Sequence, residues 1–297
     1  NFADNTNGTY TATLANTVAE TVTVSVTLNT VAVTGSENPS VTFTPGAADP
    51  SQSTVTVGNT SVNVDETVII TVQAIDAGGN NLTSGGATVI INPTGSGSLS
   101  NFSDNSDGTY TANLTNDTAE QVTVSATLGG VAITGATNPT VTFLGPEIEV
   151  TQNSVSIAND GSVDFGTVDA TDDNSVSDLT FTITNSGGPD LSLGDFTITE
   201  VDGGDNNAFS LESTSSYPSV VAAGTPETFI IRFTTDYQGA HEATFSFNNN
   251  DDDENPFTIT LSGAVTSPYI RVEAPDGSRV SDTTDARVPI VCDVARA

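Results

Sequence analysis

The chain has 297 residues and a formal net charge of −32, with 37 acidic residues against five basic ones. All five basic residues are arginines, and only Arg232 lies within the first 270 positions. Such a chain cannot neutralise a row of phosphates, which excludes nucleic acids and anionic membrane surfaces as partners. The single cysteine, Cys292, excludes an internal disulfide, and no apolar run approaches the roughly 20 residues that cross a bilayer, so direct membrane insertion is not expected.

The first 43 residues recur 100 positions later as residues 101–143. Of the 43 aligned pairs, 28 are identical, and no residue is inserted. A repeat this regular is typical of an array of equal modules, in which the number of units sets length and reach. The sequence therefore indicates tandem domains whose main contribution is architecture rather than chemistry.

Strands are predicted where apolar residues alternate with Thr and Ser. The alternation covers residues 22–28 and 122–128 in the two copies, and residues 68–74 and 89–91 ahead of the second copy. A period of two marks strands with one buried face, and Gly- and Asn-rich turns separate them about every ten residues. This pattern predicts an all-β chain of antiparallel sandwiches strung into an elongated array.

Three segments of the second copy carry a resemblance to known repeats. Residues 104–111 (DNSDGTYT), 122–125 (VTVS) and 129–135 (GGVAITG) resemble the second half of filamin-type and invasin-type bacterial immunoglobulin-like repeats. The resemblance implies that they are the last three strands of a seven-strand sandwich, in a complete module over residues 45–145. Filamin repeats carry Ser-Pro-Phe where residues 137–139 read TNP, so filamin's partners are not transferred.

The same alignment makes residues 1–44 the C-terminal half of an immunoglobulin-like repeat. Two or three strands with one apolar face are marginally stable alone. Two ways of completing this half-module stay open at the level of sequence. An upstream part of the same polypeptide supplies the missing strands in cis, or another chain supplies them in trans.

A different domain is predicted over residues 146–265. Its alternating faces are rich in Phe and Ile, for example at residues 229–233 and 243–247. Residues 163–166 (VDFG), 181–187 (FTITNSG) and 249–263 (NNDDDENPFTITLSG) resemble the choice-of-anchor D and Hydin-like immunoglobulin-type domains of bacterial surface proteins. That resemblance implies a secreted or surface-anchored protein. The remaining residues 266–297 are interpreted as the start of a further domain or as a terminal segment.

Two groups of acidic residues are candidates for calcium, which prefers oxygen ligands. The densest run is residues 251–254, where Asp251, Asp253 and Glu254 are the best candidates, although a solvated turn between two strands explains the same residues. In residues 104–108 the acids do not follow EF-hand spacing, and the first copy has Asn7 in place of Asp107. A hairpin turn with glycine at the left-handed position accounts for both copies. No cofactor is required.

His241 and Cys292 are the only histidine and the only cysteine. His241 precedes a predicted strand at residues 243–247 without a nucleophile motif nearby, so we expect an exposed residue at the strand end rather than a catalytic base. Cys292 has no partner motif and is expected to be a small core residue. No catalytic, cofactor-binding or metal residue is assigned, and we expect that the protein is not an enzyme.

The functional hypothesis is a segment of a large secreted or surface-exposed bacterial protein. Its modules would form a stalk that projects a binding region from the cell, with neighbouring modules as partners and an unidentified surface or extracellular ligand. One alternative is a subunit of an extracellular fibre that assembles by inter-chain strand complementation. Another is an ancillary module of a secreted enzyme or carbohydrate binder. The absence of Trp disfavours sugar stacking and therefore this last alternative.

Overall fold

The computed structural model describes residues 2–34, 38–169, 176–201, 207–212, 217–235, 237 and 239–266. Every regular element in these ranges is a β-strand, which confirms the predicted all-β, immunoglobulin-like fold class. A search of the same ranges finds no helix with the length and apolar character needed to cross a membrane. Cys292 and nearly all of the predicted segment 266–297 lie outside the described residues, and the domain limits inferred from the sequence stay predictions.

The described residues before position 45 form two small antiparallel hairpins and a third antiparallel pair, whose two strands flank the second hairpin in the sequence. Their strands are β1 (Ala3–Asp4), β2 (Tyr10–Thr11), β3 (Thr21–Thr23), β4 (Thr27–Leu28), β5 (Val31–Ala32) and β6 (Ser40–Thr42). Strand β1 pairs with β2, β3 with β6, and β4 with β5. No described side chain in this segment is buried, so the apolar residues of these strands face solvent.

The next nine strands build a two-layer sandwich. They are β7 (Thr54–Val57), β8 (Ser61–Asn63), β9 (Val68–Gln73), β10 (Val89–Pro93), β11 (Ser98–Asp104), β12 (Thr109–Thr115), β13 (Gln121–Leu128), β14 (Val131–Ala132) and β15 (Thr140–Leu144). One sheet has the order β11-β12-β9-β7, and the other has β10-β13-β15-β8, with β14 paired to β13. Only the pairing of β15 with β8 is parallel among these strands.

Alternation along these strands produces the core between the two sheets. Every second residue of β12 and β13 is buried, and Leu114, Val122 and Val124 have no exposed surface. Tyr110 fills the same core, and its hydroxyl accepts a hydrogen bond from the backbone N–H of Ala87 at 2.9 Å. Its polar tip is thus satisfied while the ring is buried.

The second copy of the repeat keeps the strand register of the first. The hairpin of β4 and β5 sets Leu28 opposite Val31, and 100 positions later Leu128 stands opposite Val131. The β1–β2 and β3–β6 pairs correspond in the same way to β11–β12 and β13–β15. In the second copy β8, β9 and β10 pair with these strands, whereas no described strand covers the first copy.

A second sandwich follows from residue 148. Its strands are β16 (Ile148–Gln152), β17 (Val155–Ile157), β18 (Gly161–Asp169), β19 (Ser177–Asn185), β20 (Leu191–Ser192), β21 (Thr197–Glu200), β22 (Phe209–Glu212), β23 (Val220–Val221), β24 (Glu227–Phe233), β25 (Gly239–Phe247) and β26 (Phe257–Thr266). The two sheets have the orders β17-β16-β19-β24-β22 and β18-β26-β25-β21, and β20 pairs with β23. The contact of β18 with β26 is parallel.

Phenylalanine dominates the core of this sandwich. The ring centroids of Phe181 and Phe229 lie 5.1 Å apart, and those of Phe209 and Phe233 lie 4.8 Å apart, both pairs stacked. Such pairs add to the gain from burying the rings. This core shares no residue with the core of the preceding module, so each sandwich has its own hydrophobic centre.

Candidate functional site: the module junctions

The junction between residues 2–44 and the following module is organised by Asp76. Asp76 is 6% exposed, and its carboxylate accepts hydrogen bonds from the backbone N–H groups of Gly46 at 2.7 Å, Gly78 at 2.9 Å and Asn80 at 2.9 Å. These donors, with Gly46 first, hold the pKa of Asp76 at about 2, below its ordinary 3.8. Gly46 belongs to the linker, so a buried charge anchors the point at which the chain enters the module.

Asn80 carries the contact across this junction. Its Nδ2 donates to the carbonyl of Thr17 at 2.8 Å, and its Oδ1 accepts from the N–H of Ala19 at 2.9 Å. The same Nδ2 lies 3.0 Å from each carboxylate oxygen of Asp76. One side chain therefore ties the first segment, the buried carboxylate and the loop to one another.

An open cleft of about 600 Å³ lies at the same junction. Its walls come from residues 19–21 and 42–45 on one side and from residues 79–81 and Thr83 on the other. Glu20 is the only acidic residue in this lining. The cleft is thus a gap between two units rather than an enclosed site with converging carboxylates.

The second junction follows the same principle with other residues. The N–H of Ile148 donates to Asp251 Oδ2 at 2.8 Å, and the N–H of Glu147 donates to Asn185 Oδ1 at 3.2 Å. Two side chains of the second sandwich thereby hold the backbone directly after the Gly145–Pro146 linker. Both junctions use a buried aspartate to hold backbone N–H groups at the start of a sandwich, which satisfies donors that would otherwise be lost to burial.

Two glycines bring the second sandwich close to the end of the first. A Cβ at Gly187 would collide with the carbonyl oxygen of Gly145 and lie 2.6 Å from the N–H nitrogen of Glu147. A Cβ at Gly188 would collide with Asn63 Oδ1, and the N–H of Gly188 donates to Gly145 O at 3.1 Å. Glycine is required at position 187 because the turn packs directly on the backbone of the linker, whereas at position 188 the nearest obstacle is the end of the Asn63 side chain.

Four carboxylates converge beside this junction. Glu147, Asp251, Asp253 and Glu254 each place one oxygen atom so that the four oxygens lie within 4.8 Å of one another. Asp251 is 2% exposed, and Glu254 Oε2 is buried without a hydrogen-bond partner. Burial is the largest cause that raises the pKa of Asp251, Glu254 and Glu147, and neighbouring carboxylate charges add to it.

An oxygen-only donor set of this kind has the chemistry that Ca²⁺ prefers. Calcium binding at Asp251, Asp253 and Glu254 stays a prediction. The structure adds Glu147 to the group, a residue that the sequence analysis missed. Its position directly after the Gly145–Pro146 linker is the only local signal that could have drawn attention to it.

The sequence comparison bears on the first complete module. Residues 49–145 match the family model described as "Invasin, domain 3". The match covers the first complete sandwich, which is about a third of the chain. The predicted invasin-type resemblance is thus confirmed for this part of the chain, while the choice-of-anchor D resemblance of residues 146–265 stays a prediction. No curated protein matches the chain.

Similar solved structures include several bacterial proteins. FdeC, an Escherichia coli adhesin, has 19% identity and a TM-score of 0.39 over 88% of this chain and 80% of that chain. InvD from Yersinia pseudotuberculosis has 18% identity and a TM-score of 0.38 over 88% and 82%. Invasin, a bacterial integrin-binding protein, has 21% identity and a TM-score of 0.34 over 84% of this chain and 46% of its own. Because these TM-scores are below 0.5, the fold assignment rests on strand pairing and on the family match.

Residues 104–108, for which the sequence predicts a hairpin turn rather than an EF-hand, lie at the turn between β11 and β12 of the first complete sandwich. Asp104 Oδ1 accepts from the N–H of Ser106 at 2.9 Å, and Asp107 Oδ1 accepts from the N–H of Thr109 at 2.9 Å. Gly108 has a φ of 88°, in the left-handed region. The carboxylates are thus used to shape a hairpin, as the sequence analysis expected.

The predicted exposure of His241 is wrong. The residue is 6% exposed, its Nε2 lies 2.9 Å from the carbonyl oxygen of Tyr237, and its ring centroid lies 6.0 Å from that of Phe233. Strand β25 starts at Gly239, earlier than expected, and the inward alternation of residues 243, 245 and 247 therefore includes position 241. His241 is a core residue of the second sandwich.

Proposed function

We propose that this chain is part of an adhesive protein on the bacterial surface, where it acts as a stalk that holds a binding region away from the cell. The observation that carries the proposal is the pair of hydrogen-bonded junctions around Asp76 and Asp251. A spacer needs limited bending between its units, and both junctions fix the linker backbone with buried side chains. The match of residues 49–145 to invasin domain 3 supports the adhesive context.

The linkers themselves support the same role. Pro45 and Pro146 restrict φ within each linker, and the stretch between the end of β15 and the start of β16 is only three residues. A short linker with few free torsions transmits the orientation of one sandwich to the next. The names of the matched family and of the similar structures describe adhesins and an integrin-binding protein, which agrees with a structural part rather than an enzyme.

The glycine turn at the second junction offers a direct test by small-angle X-ray scattering. Gly187→Ala places a methyl group against the backbone of residues 145–147 and should force the two sandwiches apart or into several orientations. We expect a broader distribution of interatomic distances for this variant than for the unmodified chain. Gly58→Ala is the matched control, because its Cβ would meet Ile69 O at 3.6 Å, an ordinary contact.

Two results would count against the stalk. Identical scattering of Gly187→Ala, Gly58→Ala and the unmodified chain would show that the junction does not set orientation. Scattering of the unmodified chain as freely jointed domains would show that the junctions do not limit bending. Circular dichroism of each variant checks that the sandwiches stay folded.

Assembly into a fibre by strand complementation is the second candidate function. The uncovered apolar residues of the first copy favour it, since exposed strands are templates for added strands. Such a fibre needs a source of the strands that cover this surface.

A further inference from the structure

The four carboxylates beside the second junction come from two parts of the chain. Glu147 lies in the linker ahead of β16, whereas Asp251, Asp253 and Glu254 lie in the loop between β25 and β26. One oxygen from each residue lies within 4.8 Å of the other three. We call these four side chains the linker cluster. Like charges at such distances repel one another unless something neutralises them.

No arginine or lysine among the described residues is placed to neutralise the linker cluster. Arg232 is the only arginine in the described ranges, and the chain has no lysine. Its guanidinium pairs with Asp178 at 2.7 Å and with Glu212 at 3.1 Å. His241 lies near the opposite end of β25 from the acidic loop. The charge of the cluster therefore has to be balanced by protons or by a cation taken from solvent.

The burial of the cluster makes this balance necessary. Asp251 is 2% exposed, and Glu254 Oε2 is buried with no hydrogen-bond partner among the described residues. Neighbouring carboxylates cannot satisfy that oxygen, because an ionised carboxylate only accepts hydrogen bonds. Asp76 at the first junction shows the alternative, since three backbone N–H groups donate to its carboxylate. A buried carboxylate oxygen without such donors points to a bound cation.

The donor atoms and their spacing favour calcium. Ca²⁺ binds about six to eight oxygens at about 2.3–2.6 Å, so two ligands of one ion can lie up to about 5 Å apart. The oxygens of the linker cluster lie within that span. Glu147 and Asp253 are exposed, which leaves room for water to complete the coordination. Mg²⁺ keeps several of its own waters, and zinc sites usually include imidazole or thiolate ligands.

We propose that the linker cluster is a calcium site, in which one shared Ca²⁺ ion joins the linker to the loop between β25 and β26. The ion fastens Glu147 to the second sandwich alongside the hydrogen bond from the N–H of Ile148 to Asp251. It replaces repulsion among the carboxylates by attraction to a common centre. Calcium binding here goes beyond the stalk function and does not depend on it.

Isothermal titration calorimetry of the full chain with calcium chloride at pH 7 tests the site. We expect one saturable site with a Kd of about 0.1 to 1 mM, the range of extracellular calcium modules. Glu147→Gln keeps the shape of the side chain but removes one ligand charge, so it should weaken binding at least about tenfold. Glu149→Gln is the matched control, because Glu149 is exposed and lies outside the cluster.

Three results of this titration would overturn the proposal. The first is the absence of a saturable site. The second is equal weakening by Glu147→Gln and Glu149→Gln, which would show that calcium responds only to the overall negative charge. The third is an equal affinity for magnesium chloride, which would contradict calcium as the ligand.

Hydrogen exchange measured by mass spectrometry locates the bound ion. The N–H groups of Glu147 and Ile148 donate to Asn185 and Asp251 at this junction. At a calcium concentration ten times the Kd, linkage predicts about 11-fold slower exchange of these amides, and Glu147→Gln should remove most of that slowing. Residues 76–80 at the first junction are the internal control and should exchange at an unchanged rate. Slowing at both junctions, or at neither, would refute the assignment.

Protons are the other occupants that could balance the cluster. If exchange of residues 147–148 does not respond to calcium at pH 7 but slows on acidification, after correction for the intrinsic pH dependence of exchange, the calcium site is refuted. Failure of the stalk function has a different signature. A chain that binds calcium but scatters as freely jointed domains would refute the stalk and leave the calcium site standing, and restricted bending without calcium binding would do the reverse.

Discussion

The two copies of the repeat allow one substitution to be made at equivalent positions with opposite burial. Leu114 has no exposed surface, whereas Leu14 is 46% exposed. Leu114→Ala removes three carbon groups, a transfer loss of about 2.4 kcal/mol at about 0.8 kcal/mol each. The cavity between β12 and β13 adds to this, and the total destabilisation should be about 3 to 5 kcal/mol. Leu14→Ala should cost no more than about 0.5 kcal/mol.

Calorimetry of the full chain measures this difference. A loss of about 3 kcal/mol in a module of this size should lower its melting temperature by about 12 to 24 °C. Only the transition of the first complete sandwich should move, and hydrogen exchange of residues 109–128 identifies that transition. Equal shifts for Leu114→Ala and Leu14→Ala would refute the assignment of a buried and an exposed position, and a shift of the second sandwich would refute the separation of the two cores.

Two further predictions concern the acidic residues. The folded-state pKa of Asp76, about 2, lies below its ordinary 3.8, so the stability that its carboxylate contributes should be present above about pH 4 and lost as pH falls from about 4 to about 2. Melting curves of Asp76→Asn should lack this part of the pH dependence. A pH dependence equal to that of the unmodified chain would contradict the prediction. The raised pKa values of Glu147, Asp251 and Glu254 have the opposite sign, because the folded state binds their protons more tightly and is destabilised as pH rises towards neutrality. At pH 7 without calcium, Asp253→Asn should therefore raise the melting temperature. Added calcium should stabilise the unmodified chain but not Asp253→Asn. Calcium responses of equal size would exclude this cluster as the calcium site.

Local patterns predicted the parts of the fold that depend on neighbouring residues. Alternation of Val with Thr indicated β13, and the alternation of Phe with Ser and Thr indicated β25, because burial of one strand face imposes a period of two. The hairpin turn at residues 104–108 followed from its glycine and its side-chain acceptors. The position of His241 was missed because nothing in the sequence marks the start of β25 at Gly239.

The junctions could not be predicted in the same way. Glu147 and Asp251 are brought together across 104 positions, and Asn80 reaches Thr17 across 63 positions. Contacts at such separations depend on how two whole sandwiches stack, and the residues involved show no periodicity. The sequence therefore predicted acidic residues and linkers as separate features, and the structure unites them.

The parallel contact between β8 and β15 has a consequence for a protein that is pulled by its ends. Strand β8 belongs to the first part of the module and β15 is its last strand, and the two run in the same direction. Tension along the polypeptide therefore slides one strand past the other and loads their hydrogen bonds together instead of breaking them one after another. The β18–β26 pair is also parallel, and β26 is the last described strand of its sandwich. In both sandwiches, tension should therefore load the hydrogen bonds of this pair in shear.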